Sequence, residues 1–271
     1  MPFLSCPALP ATFQACICSR KARPHFQKTQ KGLPHKTFTM FLKNLIFAFV
    51  LVPVICRPKE RKIRMGVSAE NCDNGRKNLH VDWDQSKVNY TCYEKNPYPV
   101  LAAAPVEECF EKKRFKHKCM NVPISYNDSE PVYGNHRPLW AVYGEYRFLP
   151  PQRWLHNLEH GGIVMLYHPC AYSSEVEKLR QIVKKCNSRH IITAHNLLPA
   201  KTPLALIAYG CRRYMSHLDK EGAVKFIQDH AHNAIENNEF REGQFDVSLI
   251  EPSLNLSLNL IHNNTDLCVG M

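Results

Sequence analysis

The sequence predicts an α+β fold, a mixed sheet with helices packed on one face. Short apolar runs of strand length alternate with amphipathic helical segments in the order β-α-β-β-α. Eight cysteines downstream of an apolar leader indicate in addition that the domain is disulfide-bonded. We expect a short, irregular N-terminal part before the sheet begins.

Most of the predicted elements lie in the second half of the chain. Three short apolar runs predict buried strands, at residues 162–168, 190–195 and 204–209. Residues 173–186 predict a helix capped by Ser174, because the segment has apolar residues on one face at helical spacing. Residues 219–235 predict a second helix by the same spacing. In the first half, residues 79–83 alternate like a strand, and residues 105–114 predict a helix with proline in its first turn.

Composition divides the chain into five segments. They are residues 1–39, 40–56, 57–71, 72–239 and 240–271. Residues 40–56 are interpreted as a signal peptide, since one lysine precedes an apolar run that is short for a membrane span. We interpret residues 1–39 as an extension upstream of a true start at Met40, with a genuine long leader as the alternative. A basic linker, a single domain and a polar tail follow in that order.

The net charge of +11 is concentrated in the leader. Residues 1–56 contain seven Lys and Arg and no acidic residue, so the rest of the chain contributes only +4. Two basic runs remain, at residues 57–64 and 112–118, and such runs are usually solvated faces. We therefore predict no nucleic-acid partner and no transmembrane span, which leaves an unidentified protein as the partner class.

Cysteines and sequons predict an oxidising compartment. The eight cysteines after the leader are Cys72, Cys92, Cys109, Cys119, Cys170, Cys186, Cys211 and Cys268. Four N-glycosylation sequons begin at Asn89, Asn127, Asn255 and Asn263. Together with the signal peptide, they predict a secreted or endoplasmic-reticulum luminal glycoprotein, with the cytoplasm as the alternative.

One disulfide pairing is excluded by the predicted helix over residues 173–186. Cys170 and Cys186 flank this helix, whose rise of about 1.5 Å per residue holds its ends roughly 20 Å apart. A disulfide needs Cα atoms within about 7 Å, so we predict that these two cysteines do not pair. Cys211 is a candidate partner for either of them.

The most informative motif is His156-Asn-Leu-Glu159-His160. It places two imidazoles and a carboxylate within about one helical turn and matches the H-x-x-E-H pattern of inverted zinc peptidases. His136, His156 and His160 are therefore candidate metal ligands, with zinc as the cofactor that they would bind. Glu159 would be the general base if the protein were an enzyme.

The flanking residues favour a structural interpretation of the same motif. Two prolines precede it and Gly161 and Gly162 follow it, which leaves room for about two helical turns. We favour a buried hydrogen-bond network of His156, Glu159, His160 and Arg137, with metal binding and metal-dependent hydrolysis as alternatives. We assign no catalytic residue and favour a non-enzymatic role.

Several separated motifs in this region carry a family resemblance. They are Gly134-Asn-His136-Arg-Pro138 with Trp140, Gly144-Glu-Tyr146, and Leu155-His156-Asn-Leu-Glu159-His160-Gly161-Gly162 with the apolar run after it. In this order they resemble the family of uncharacterised domains that includes p53-inducible protein 13, over roughly residues 70–236. The resemblance implies a growth-suppressive, tumour-suppressor-like role in the response to DNA damage, and it implies no reaction.

Overall fold

The described residues form one seven-stranded mixed sheet with three α-helices, which confirms the predicted α+β class. The computed structural model describes residues 63–237, 242–253, 267–268 and 270. The strands are β1 (Val106–Cys109), β2 (Gly144–Phe148), β3 (Ile163–Tyr167), β4 (His190–Ala194), β5 (Leu204–Ala208), β6 (Cys211–Met215) and β7 (Leu249–Pro252). The helices are α1 (Pro151–Glu159), α2 (Ser173–Cys186) and α3 (Lys220–His230).

The strand order across the sheet is β1-β6-β5-β3-β4-β2-β7. Strand β4 pairs in parallel with β3 on one side and with β2 on the other, while the remaining neighbours are antiparallel. The central strands β3, β4 and β5 are buried along almost their whole length. Continuous apolar strands of this kind need cover on both faces of the sheet.

Helices supply that cover on both faces. Ile163 and Met165 of β3 pack into a core with α2 and α3, whereas Val164 and Leu166 pack into a second core with α1. Successive strand residues point to opposite faces, so the two cores lie on opposite sides of the sheet. The predicted packing on one face holds for α2 and α3, and α1 covers the other face.

The two helices predicted in the second half of the chain are confirmed, although α3 ends five residues before the predicted residue 235. Helix α2 begins one residue before Ser174, and its N-cap residue is Tyr172 without a side-chain cap. Asp219 caps α3, since its carboxylate accepts a hydrogen bond from the Gly222 N–H. Helix α3 ends at His230 because the chain then turns at His232, which has a positive φ of 59°.

Two predictions in the first half of the chain are wrong. Residues 79–83, predicted as a strand, contain a 3-10 helix over Leu79–Val81, and a second 3-10 helix spans Lys87–Asn89. Residues 105–114, predicted as a helix, contain strand β1, because the segment pairs with β6 along four residues. Tertiary pairing here overrides the local spacing. This region is otherwise irregular, as predicted.

Four disulfides use all eight cysteines after the leader. The pairs are Cys72–Cys119, Cys92–Cys170, Cys109–Cys211 and Cys186–Cys268. Cys170 and Cys186 do not pair with each other, which confirms the prediction. The suggestion that Cys211 pairs with one of them is wrong, because Cys211 lies directly opposite Cys109 in the register of β1 and β6.

The remaining predictions concern a membrane span, the signal peptide and the C-terminal sequons. Among the residues that the structure describes, no helix combines the length and apolar character required to cross a bilayer. The predicted signal peptide at 40–56 and the sequons at Asn255 and Asn263 lie outside the described residues.

Candidate metal site

The site is built on the last turn of α1. Pro151 occupies the first turn of the helix, where its missing N–H costs nothing. At the other end, Gly161 N–H donates to Leu158 O and Gly162 N–H donates to Asn157 O, both at 2.8 Å. This is a Schellman ending, and Gly161 adopts the positive φ of 80° that it requires. The ending places His156 and Glu159 on the final turn and makes His160 the C-cap residue.

Four side chains direct ligand atoms toward one point. They are His117, His136, His156 and Glu159, whose ligand atoms all lie within 4.8 Å of one another. His136 Nε2 is 3.0 Å from both His117 Nε2 and Glu159 Oε2, and the last two atoms are 3.7 Å apart. A tetrahedral zinc ion with bonds of about 2.0–2.1 Å has ligand atoms roughly 3.3 Å apart. The observed separations of 3.0 and 3.7 Å bracket that value.

Backbone carbonyls fix the orientation of two of these imidazoles. His136 Nδ1 lies 2.7 Å from Gly134 O, and His156 Nδ1 lies 2.6 Å from Arg137 O. A carbonyl oxygen can only accept, so each Nδ1 donates its hydrogen away from the cluster and leaves Nε2 as the ring nitrogen available to a ligand. Ligating histidines in metalloproteins have this same arrangement, with the second ring nitrogen donating to a backbone carbonyl or carboxylate.

Several buried acceptors in the cluster lack hydrogen-bond partners among the described residues. They are His156 Nε2, Glu159 Oε2 and the neighbouring His160 Nε2. The 3.0 Å approach of His136 to Glu159 does not have the alignment of a hydrogen bond. A buried polar atom without a partner costs about 1–3 kcal/mol, so the two that belong to the cluster, His156 Nε2 and Glu159 Oε2, indicate a group that satisfies them together.

The protonation states are those that bind metal. Burial, followed by the neighbouring His136, lowers the pKa of His117 to about 4. Burial lowers the pKa of His156 well below its ordinary value. Burial raises the pKa of Glu159, but the contact with His136 and the nearby histidines outweigh it, so its net pKa is lowered. Neutral imidazoles and an ionised carboxylate are therefore present at neutral pH, as metal binding requires.

The cluster includes three of the residues singled out from the sequence, and His160 lies beside it. The His160 ring stacks on His156 with centroids 4.9 Å apart, and its Nδ1 is 3.2 Å from Glu236 O. The Trp140 ring packs against both imidazoles at 4.7 Å. His160 therefore lies next to the four converging side chains and is not one of them, although the sequence suggested it as a ligand.

Arg137 has a different role from the predicted one. Its guanidinium binds Asp82, with Nε 2.9 Å from Oδ2, and it donates to three backbone carbonyls of residues 118–122. The pair is almost fully buried. Arg137 contributes to the cluster through its backbone carbonyl, which orients His156.

His117 was not identified from the sequence. It lies in the basic run 112–118, whose composition indicates a solvated face. In the structure its backbone forms a parallel bridge with His136, and the Cys72–Cys119 disulfide holds the chain two residues further on. The sequence signal for His117 is the nearby Cys119, because a disulfide at residue 119 restricts the position of its neighbours in the chain.

The site is closed. The His117 side chain is 13% exposed and the Glu159 side chain is 2% exposed, while His156 is fully buried. A second group of potential ligands, Cys109, Cys211 and His230, is also close together. Its two sulfurs form a disulfide and therefore provide no thiolate for a metal.

The comparison with protein families gives one result that covers this site. Residues 117–243 match a family described as a protein of unknown function (DUF3105). The matched segment is slightly less than half of the chain, and it contains all four converging residues. No curated protein and no solved structure shows significant similarity to the chain.

Proposed function

We propose that this protein binds a divalent transition-metal ion, zinc foremost, through His117, His136, His156 and Glu159. The observation that carries the proposal is the convergence of four ligand atoms, two of which, His156 Nε2 and Glu159 Oε2, are buried without a hydrogen-bond partner among the described residues. A proton shared between two imidazoles would satisfy one pair only. A cation at the centre satisfies all four ligands at once, and imidazole with carboxylate is a donor set that zinc favours.

The closed geometry supports a non-enzymatic role for the ion. Structural zinc sites use four protein ligands, whereas catalytic sites keep one position open for water. Here Glu159 is itself one of the converging ligands, and His136, His156 and Glu159 are all buried away from solvent. We propose that the ion fastens the segment around His117 and the turn at His136 to helix α1.

The compartment and the wider role are also proposals. Four disulfides fit a secreted or luminal protein, as do the sequons, of which Asn127 is exposed and Asn89 is half-buried. The motifs that resemble the p53-inducible protein 13 family include His136, His156 and Glu159 of the cluster. This coincidence supports a growth-suppressive, damage-responsive role that depends on an intact site.

Metal analysis of the secreted, oxidised protein tests the proposal. The chain is expressed in a secretory host, purified without a metal-affinity step, loaded with zinc and dialysed before elemental analysis. We expect about one zinc ion per chain, as four ligands imply. The variants His136→Ala and His156→Ala should retain almost none, and His80→Ala, at an exposed position, serves as the control. A wild type that retains no zinc would overturn the proposal.

A further inference from the structure

We propose that the Cys72–Cys119 disulfide regulates the metal site, so that reducing this bridge lowers the affinity for the ion. This inference rests on the proposed metal-binding function and adds its control by redox state. It concerns one ligand, His117, and the segment that carries it.

His117 reaches the cluster through a short stretch of backbone pairing. Lys118 N–H donates to His136 O at 2.9 Å, and His136 N–H donates to Lys116 O at 3.3 Å. These two bonds align His117 beside His136. Since the pairing is so short, its register depends on what holds the chain on either side.

The attachment on the C-terminal side is centred on the disulfide. Cys119 is two residues after His117, and Met120 N–H donates to Cys72 O at 2.9 Å next to the bridge. The Arg137 guanidinium adds hydrogen bonds to nearby carbonyls. On the N-terminal side, residues 111–114 are exposed, and the next covalent link is Cys109–Cys211, eight residues before His117. Cys72–Cys119 is therefore the nearest covalent constraint on this segment, and opening it increases the conformational freedom of the segment.

The other three ligands do not depend on this bridge. His156 and Glu159 belong to α1, which packs in the core beneath β3. His136 is oriented by its own hydrogen bond to Gly134 O. Opening the bridge should consequently remove one ligand and leave three, which gives a graded loss of affinity in place of collapse of the site.

Both cysteines of the bridge are at least partly open to solvent. Cys72 and Cys119 are both half-buried, whereas each of the other three bridges contains at least one buried cysteine, although Cys109 is itself exposed. Those buried residues are Cys170, Cys186, Cys211 and Cys268. Access to the sulfur is one of the factors that set the rate of thiol–disulfide exchange, and neither sulfur of Cys72–Cys119 belongs to a fully buried residue.

The chemical step is an exchange with a dithiol. A thiolate of the reductant attacks one sulfur of the bridge and displaces the other as a thiolate, which takes a proton. The second thiol of the reductant then resolves the mixed disulfide. The bridge gains two electrons and two protons, and the reductant leaves as its own disulfide. By linkage, a bound ion must oppose this opening to the same extent that opening weakens binding.

The full chain with Cys72→Ser and Cys119→Ser tests the inference. Zinc affinity is measured by competition with a chromophoric chelator. We expect a loss of about 10–100-fold, the range seen when a group that supports a ligand is removed. The matched control is Cys186→Ser with Cys268→Ser, a bridge in the core on the opposite face of the sheet, and it should keep the wild-type affinity.

A combined variant separates loss of His117 from general loosening. In a His117→Ala background, removal of Cys72–Cys119 should cause no further loss of affinity, because the two changes act through the same ligand. Additive losses would overturn the inference, and so would an unchanged affinity in the double serine variant.

A measurement on the wild type does not depend on how the variants fold. The chain is reduced gradually with a phosphine, which takes its oxygen from water and avoids the zinc binding of dithiols. Opened bridges are then alkylated and mapped by mass spectrometry. Zinc should slow the opening of Cys72–Cys119 more than that of Cys186–Cys268. Equal effects on both bridges would overturn the inference, whereas a wild type that binds no zinc would refute the proposed function itself.

Discussion

His117 and His136 are nineteen residues apart in the chain, and their Nε2 atoms lie 3.0 Å from each other. The two rings meet edge to face with centroids 4.5 Å apart, and each also lies within 5 Å of the His156 ring. Three imidazoles packed in this way can share few protons, because each added positive charge would repel the next. The proposed central cation would account for their mutual approach.

Zinc should stabilise the folded chain through this cluster. At 100 times its dissociation constant, zinc should raise the free energy of unfolding by about 2.7 kcal/mol, because only the folded state assembles the ligands. His156→Ala should abolish this increase. His160→Ala should lower the baseline stability but keep the zinc effect, since His160 lies beside the four ligands. Thermal unfolding with and without zinc measures both, and a zinc effect that persists in His156→Ala would contradict the assignment.

The buried ion pair between Asp73 and Arg153 should be a main support of the irregular N-terminal part. Arg153 Nη1 is 2.6 Å from Asp73 Oδ2, and both side chains are about 1% exposed. Arg153→Met should cost about 3–5 kcal/mol in urea denaturation, because it leaves a buried carboxylate without its partner charge. The control is Arg76→Met, whose pair with Asp246 is largely exposed and should contribute at most about 1 kcal/mol. Equal losses in the two variants would refute this view.

Local periodicity explains which parts of the fold were predictable. Helix α2 was found because Val176, Leu179 and Ile182 repeat on one face within a single segment, and they are buried in the structure. Strand β1 was missed because its conformation is decided by pairing with β6, about a hundred residues later in the chain. The hairpin partner of β5, strand β6, follows a two-residue turn at Gly210 with a positive φ, which is typical of tight hairpins.

The site residues likewise divide into those that local spacing predicts and those that long-range contacts place. His156 and Glu159 share one helical turn, so their proximity is a local property that spacing predicts. His136 was suggested by the turn at Gly134. His117 was missed, because its position depends on a bridge to Cys72 and on pairing with His136. Such long-range constraints follow from disulfide connectivity, which the spacing of eight cysteines does not determine.

Entry into the secretory pathway should be visible at Asn127. This residue is exposed and begins a sequon, so it is open to glycan attachment. The chain expressed from Met40 in a eukaryotic secretory host should shift in mobility on glycosidase treatment. Asn127→Gln should reduce that shift by one glycan relative to a conservative control, Asn121→Gln, at an exposed asparagine outside any sequon. A reduced, unglycosylated product would contradict the secretory assignment.

His190 should make the fold sensitive to acid independently of the metal site. Its side chain is buried at the start of β4, with Nδ1 2.6 Å from Asn187 O, and burial lowers its pKa to about 4. In the unfolded chain the pKa of His190 is near 6.5. Between pH 6.5 and about 4 the unfolded state therefore binds a proton at His190 that the folded state does not bind. Stability is therefore complete above pH 6.5 and falls progressively down to about pH 4, by up to about 3 kcal/mol from this residue.

The variant His190→Gln isolates that contribution. Glutamine retains a donor for Asn187 O but does not titrate, so the variant should lose less stability than the wild type between pH 6.5 and about 4. Urea denaturation across this range, with a chelator present, removes metal binding from the comparison, and His80→Gln at an exposed position controls for the substitution itself. Other histidines, among them the half-buried His232, whose pKa burial also lowers to about 4, titrate in both proteins and cancel in the difference. Parallel curves for wild type and His190→Gln would show that His190 is already protonated in the folded state, against the burial argument.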